Sequence, residues 1–267
     1  MATMTCHYYS YTFRSNIAVN VIIPTPSGNE QIVDKEIQNR YCYETGLPVV
    51  YLLHGAYGDY SSWLRNSNID RYALDHCCAV VMASAGNNFY QDMAHGPAYK
   101  TFFTKELPAF ITSVFPVSKK REDTYIAGFS MGGYGAWYLA LSEPELYIKS
   151  ASMSGALDIA GLYNNRADLG DNNPFPWDDI FGSPKELGGS DRDLFELYRR
   201  CKEKGIVPGL YQACGTEDFL YKANLYVKQR MEEMGADVMY EEGPGGHNWD
   251  FWDVCIRRIL DWMLNDR

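Results

Sequence analysis

An α/β fold with a mostly parallel central sheet flanked by helices is predicted by three observations. Apolar runs of strand length recur along the chain. Segments with apolar residues at helical spacing separate them, an alternation that builds parallel sheets through right-handed crossovers. One long stretch, residues 155–194, follows neither period and reads as a cap insert over a site. With no internal repeat or linker in sight, residues 1–267 read as one domain carrying that insert.

Residues 5–14 and 17–23 alternate polar and apolar, as an antiparallel pair at a sheet edge does. A polar connection containing Pro and Gly is expected over 24–39. Pro48 to His54 is continuously apolar up to the histidine, as in a strand buried on both faces. A loop and a helix over 61–75 follow, then a second buried strand from Ala79 to Ala83. Gly86 to Pro97 is a loop rich in Asn, Gly and aromatic residues. Residues 99–115 have helical spacing, with Pro108 expected to kink them. Further strands are expected at Ser150–Ser154, Gly209–Cys214 and 237–241, with helices at 193–204, 220–234 and 248–264.

The central feature is Thr124 to Ala140. An apolar run leads into Gly128-Phe129-Ser130-Met131-Gly132, and a small, apolar, helix-compatible segment follows. A strand, a sharp turn and a helix would lift the Ser130 hydroxyl to the apex. Such a pattern can also be a mere turn, so the company it keeps matters. Two later strands end in loops holding Glu217-Asp218 and a Gly-rich turn with His247. Read in order, Ser130, Asp218 and His247 form a nucleophile, an orienting acid and a base. Serine needs a base to take its proton, and the base needs an acid to hold its ring. Glu217 is the competing acid, Asp218 is preferred to it, and the plainer reading of Asp218 is a cap on the next helix. His95 is the other histidine in a loop that suits a pocket rim. An oxyanion requires two backbone donors: Met131 N–H, next after the serine, and Ala56 N–H, from the loop after the first buried strand, with Tyr57 as the neighbouring alternative. His54 is expected to orient that loop rather than act as a base.

Four segments, YLLHGAYGDYSSW (51–63), TYIAGFSMGGYGAW (124–137), CGTEDFLY (214–221) and GGHNWDFW (245–252), together resemble the tributyrin esterase and esterase D-like family of α/β-hydrolases. That family is related to S-formylglutathione hydrolases and bacterial feruloyl esterases, and the resemblance spans about residues 5–262. It implies the α/β-hydrolase fold and a serine carboxylesterase acting on short acyl esters without a cofactor or metal. Matching the motifs makes Ser130 the nucleophile, Asp218 the acid and His247 the base, with Ala56 and Met131 in the oxyanion hole. Esterase D relatives usually carry Ser-Gly-Leu where this chain has His54-Gly55-Ala56. That departure favours the tributyrin or feruloyl branch over S-formylglutathione. Tyr57, Trp63, Phe219 and Trp249, with Trp177, are candidates for walling an acyl or phenolic pocket, although each is equally suited to core packing. Further readings of the same residues are an acetyl-xylan esterase and a hydrolase-fold binding protein that has lost catalysis.

Composition narrows the partners. A net charge of −10 disfavours nucleic acid and anionic membranes. No apolar stretch is long enough to span a bilayer, and the first residues lack a signal-peptide pattern. Seven scattered cysteines form neither a disulfide framework nor a zinc motif, so a cytoplasmic, thiol-reduced setting is expected. The expected partner is a small-molecule ester, and a homo-oligomer is compatible with the sequence.

Overall fold

The computed structural model describes residues 1–26, 41, 43–173 and 175–265. Most of the predicted 24–39 connection lies outside them. Among the described residues, eight strands form one sheet in the order β1-β2-β4-β3-β5-β6-β7-β8. β1 (Ala2–Ser10) and β2 (Ser15–Ile23) pair antiparallel at one edge. β2 pairs antiparallel with β4 (Ala79–Ala83). From there β3 (Val49–Leu53), β5 (Thr124–Phe129), β6 (Lys149–Met153), β7 (Gly209–Gly215) and β8 (Val238–Gly243) are parallel. This is the α/β-hydrolase arrangement.

Burial on both faces explains the unbroken apolar runs. Val49, Tyr51 and Leu53 enter one hydrophobic core, while Val50 and Leu52 enter the other. β4 divides the same way, as side chains of period two must. The second core is closed by α1 (Ser62–Asn66), α2 (Ile69–Asp75) and the C-terminal helix Trp249–Leu264. The first is closed by the remaining helices.

Two helical segments differ from expectation for local reasons. Residues 61–75 form two helices, because Ser67 is extended and both its N–H and its hydroxyl take the Trp63 carbonyl, at 3.1 and 2.6 Å. The stretch from 99 runs as α3: Tyr99–Thr101, a π-helical turn over Phe102–Glu106, then Leu107–Val114. The irregularity therefore precedes Pro108. It covers the residues whose carbonyls the proline ring would strike in a regular helix.

The remaining helices are α4 (Met131–Ser142), α5 (Ile159–Asn164), α6 (Trp177–Phe181), α7 (Leu194–Lys204), α8 (Tyr221–Glu233) and α9 (Trp249–Leu264). The 155–194 insert contains α5, a 3-10 stretch at Arg166–Asn172 and α6. Ile159, Tyr163, Trp177, Ile180, Phe181 and Leu187 anchor it by burial in the first core. No disulfide joins the described cysteines. No helix among the described residues is long and apolar enough to cross a membrane.

Candidate active site

The elbow at Ser130 is made by close approach. A Cβ on Gly128 would lie 2.3 Å from the Gly132 carbonyl oxygen, and one on Gly132 would lie 2.5 Å from that of His54. Only glycine fits either place. Ser130 itself sits at φ 56°, ψ −122°, a region L-residues avoid. Its backbone is held there by Ser130 N–H to Met153 O at 2.9 Å and by Ala156 N–H to Ser130 O at 3.2 Å. Met131 opens α4, whose first amides have no carbonyl to bond within the helix.

Asp218 and His247 meet because their loops leave adjacent strands in register, with Gly215 opposite Gly243. Thr216 N–H bonds Gly243 O at 2.9 Å, and Glu217 N–H bonds Gly245 O at 3.0 Å. The loops press so closely that a Cβ on Gly215 would lie 2.1 Å from Gly245 O. Asn248, next after His247, caps α9 through Oδ1 to Phe251 N–H at 3.2 Å, which fixes where the histidine loop ends.

Ser130, His247 and Asp218 come together in one hydrogen-bonded line. His247 Nε2 lies 3.0 Å from Ser130 Oγ, and Nδ1 lies 2.9 and 3.1 Å from the two Asp218 oxygens. The Asp218 side chain is fully buried. Burial alone would raise its pKa, but hydrogen bonds from His247, Leu220 N–H and Ser154 outweigh it, and the carboxyl is held below its usual range. Glu217 does other work: its carboxylate accepts from Gly245 N–H and, at 2.8 Å, from Thr216 Oγ1. It clamps the turn and does not bond the imidazole. The His247 ring is flanked by Phe219 at 4.4 Å and, edge-on, by Trp252 at 5.0 Å.

Ser154 was not singled out by the sequence. It follows β6 at φ 48°, accepts from Trp252 Nε1–H at 3.0 Å and hydrogen-bonds Asp218. The only sequence signal for it was its place at the end of a predicted strand.

A cavity of about 570 Å³ opens above Ser130. Ala56, Met131, Tyr57, Phe219 and Trp249 line it, together with His247. Tyr57 is excluded as the second oxyanion donor in this arrangement, since its N–H bonds Asn87 Oδ1 at 2.8 Å. Trp63 requires a correction. It is 1% exposed, donates its indole N–H to Leu53 O at 3.0 Å, and packs edge-on behind Phe129 and Trp249. It supports the wall without forming it. Trp177 is likewise buried behind Phe89 and Phe175, the two rings that do face the cavity. His95 is exposed and outside the cavity lining. Among the described residues no group of three or more His, Cys, Asp or Glu side chains gathers to hold a metal.

Comparison with known proteins gives the family. The profile of the Esterase family matches residues 10–263. The chain belongs to the Esterase family. An acetyl esterase of Caldicellulosiruptor saccharolyticus is 35% identical over 268 residues, covering 98% of each chain. Among solved structures, the fluorophosphonate-binding serine hydrolase FphF of Staphylococcus aureus superposes with a TM-score of 0.87 at 30% identity, over 99% of this chain and 98% of that one. The S-formylglutathione hydrolase FrmB of the same organism gives 0.82 at 30% identity, over 99% of each chain. As a member of this family the chain is a carboxylic ester hydrolase of the α/β-hydrolase fold, and the resemblance stated from its motifs holds.

Proposed function

We propose that this esterase is a serine carboxylesterase of short-chain acyl esters, working through Ser130, His247 and Asp218 and an acyl-enzyme. The observation that carries this reading is the unbroken line from Ser130 Oγ through His247 to the buried Asp218, at the floor of a largely apolar cavity. His247 Nε2 takes the hydroxyl proton as Ser130 Oγ bonds to the ester carbonyl carbon. The carbonyl oxygen becomes an anion, which the N–H groups of Ala56 and Met131 stabilise. The C–O bond to the alcohol then breaks, and the alcohol leaves with the proton from His247. Water, deprotonated by the same imidazole, attacks the acyl-enzyme and releases the acid. Asp218 remains a carboxylate and stabilises the imidazolium that forms.

The acetyl esterase relative supports a short acyl group. A hydroxycinnamoyl ester is the second reading, supported by the rings of Phe89 and Phe175, 4.4 Å apart at the cavity wall, and by a volume suited to a phenolic acyl group. S-formylglutathione is the third, supported by the FrmB likeness and weakened by His54-Gly55-Ala56. The described cysteines, none of them joined in a disulfide, favour a reducing, cytoplasmic setting.

The test is a panel of tributyrin, methyl ferulate, acetylated xylo-oligosaccharide and S-formylglutathione. The expected ranking by kcat/KM puts tributyrin first, and a leading value for methyl ferulate would transfer the assignment to the second reading. In the same assays Ser130→Ala is expected to lower turnover of p-nitrophenyl acetate at least about 10⁴-fold with the fold intact.

A further inference from the structure

The loop that carries Ala56 is held from outside by the segment after β4. Ser84 Oγ accepts from Tyr60 N–H at 3.0 Å, and Asn87 Oδ1 accepts from Tyr57 N–H at 2.8 Å. Ala85 N–H donates to His54 Nε2 at 2.8 Å, and Tyr90 O–H donates to the His54 carbonyl at 2.8 Å. The remaining ring nitrogen, His54 Nδ1, lies 2.7 Å from the Gly55 carbonyl.

These partners fix the histidine's proton. A backbone N–H can only donate, so Nε2 is bare, and a carbonyl can only accept, so Nδ1 carries the hydrogen. Burial also lowers the pKa of His54, which keeps the ring neutral. Two consecutive carbonyls, those of His54 and Gly55, are therefore each tied to a rigid donor. In a trans peptide the N–H points opposite to the carbonyl of the same plane. Tying Gly55 O to His54 thus turns Ala56 N–H the other way. The loop also lies directly against the nucleophile: a Cβ on Gly55 would come within 3.1 Å of Ser130 Cβ.

The brace is stiff. Phe89 and Tyr90 both have positive φ, 54° and 60°, which bulky residues adopt only when packing compels it. Asn88 compels it by accepting from Tyr90 N–H at 2.9 Å and donating to Ala85 O. The fully buried Tyr90 ring lies over Gly135, where a Cβ would sit 2.3 Å from Tyr90 Cδ2.

We propose that His54 and Tyr90 are positioning residues for ester hydrolysis, pinning the two peptide planes that precede Ala56 and so aiming its N–H at the oxyanion. This rests on the reading of Ser130 as nucleophile. Their loss should weaken what is bound only as an oxyanion, leaving ground-state binding alone.

The test measures kcat and KM for p-nitrophenyl acetate, inhibition by 2,2,2-trifluoroacetophenone, and Tm, with Ser130→Ala run in parallel. The ketone adds Ser130 Oγ to give a hemiketal oxyanion in the same site. Tyr90→Phe removes one hydroxyl and is expected to lower kcat and ketone affinity together by about tenfold, part of the loss seen when an oxyanion donor is deleted, with KM within about twofold. Unchanged kcat and ketone affinity, with only Tm reduced, would overturn the proposal. His54→Asn restores an N–H at the Nδ1 position, whereas His54→Gln restores only the acceptor facing Ala85. The first is therefore expected to keep more kcat than the second, and the reverse order would overturn the proposal. Turnover surviving in Ser130→Ala would instead refute the nucleophile assignment.

Discussion

Glu217 and Asp218 are neighbours, yet one carboxylate faces Gly245 N–H and Thr216 while the other faces the imidazole. Asp218→Asn is expected to lower kcat by about 10⁴-fold, as loss of the orienting carboxylate does in a serine triad. Glu217→Gln keeps the shape of its clamp and is expected to cost less than about tenfold, because a surface charge contributes little. A comparison of the two kcat values decides between them. The pH dependence of stability has a definite sign. A carboxyl with a depressed native pKa stabilises above its unfolded pKa of about 3.9 and loses that contribution as pH falls through the native value. The Tm gap between wild type and Asp218→Asn is thus expected to be full near neutrality and to close below about pH 4. Ser154→Ala removes one hydrogen bond from Asp218 and breaks the link to Trp252, and a fall in kcat of about tenfold is expected, consistent with a lost bond to a charged group.

At the scale of elements, close backbone packing is what shapes the elbow. Gly128→Ala would drive its methyl into the Gly132 backbone, which cannot move without shifting Leu53 and His54. A loss of about 1–3 kcal/mol, read from the denaturation midpoint, is expected from such overpacking. Strands, elbow and the two late loops were legible from sequence because each has its own pattern: unbroken apolar runs, flanking glycines, and a reactive residue just past a strand. Trp63 was not legible, since an aromatic in the wall and one behind it have the same composition, and only the Leu53 carbonyl draws its indole inward. Phe89 and Tyr90 were hidden for a different reason. Their roles depend on a positive-φ turn that no single-residue propensity announces. The break at Ser67 arises from a hydroxyl competing for a backbone carbonyl, and the π-turn before Pro108 from a ring that would strike one.

For the molecule as a whole, the insert is sewn into the core it covers. Ile180 is fully buried and Trp177 and Phe181 nearly so, in the same cluster as β3 and α4. The expected consequence is one cooperative unfolding transition, coincident by tryptophan fluorescence and by circular dichroism. Two separated transitions would show the insert, or another part, to be an independent unit. The cavity lies where sheet, insert and C-terminal helix converge: Met131 from the elbow, Phe175 from the insert, Trp249 and Trp252 from α9. The proposed triad and the cavity wall therefore draw on parts of the chain far apart in sequence, and the wall, set by packing across those parts, was legible only in part. The central claim is that Ser130 is the nucleophile activated by His247. It is tested most directly by intact mass after reaction with diethyl p-nitrophenyl phosphate, followed by peptide mapping. The expected result is a single diethylphosphoryl adduct on Ser130, absent in Ser130→Ala and strongly slowed in His247→Ala. An adduct on another residue, or equal labelling of Ser130→Ala, would contradict it.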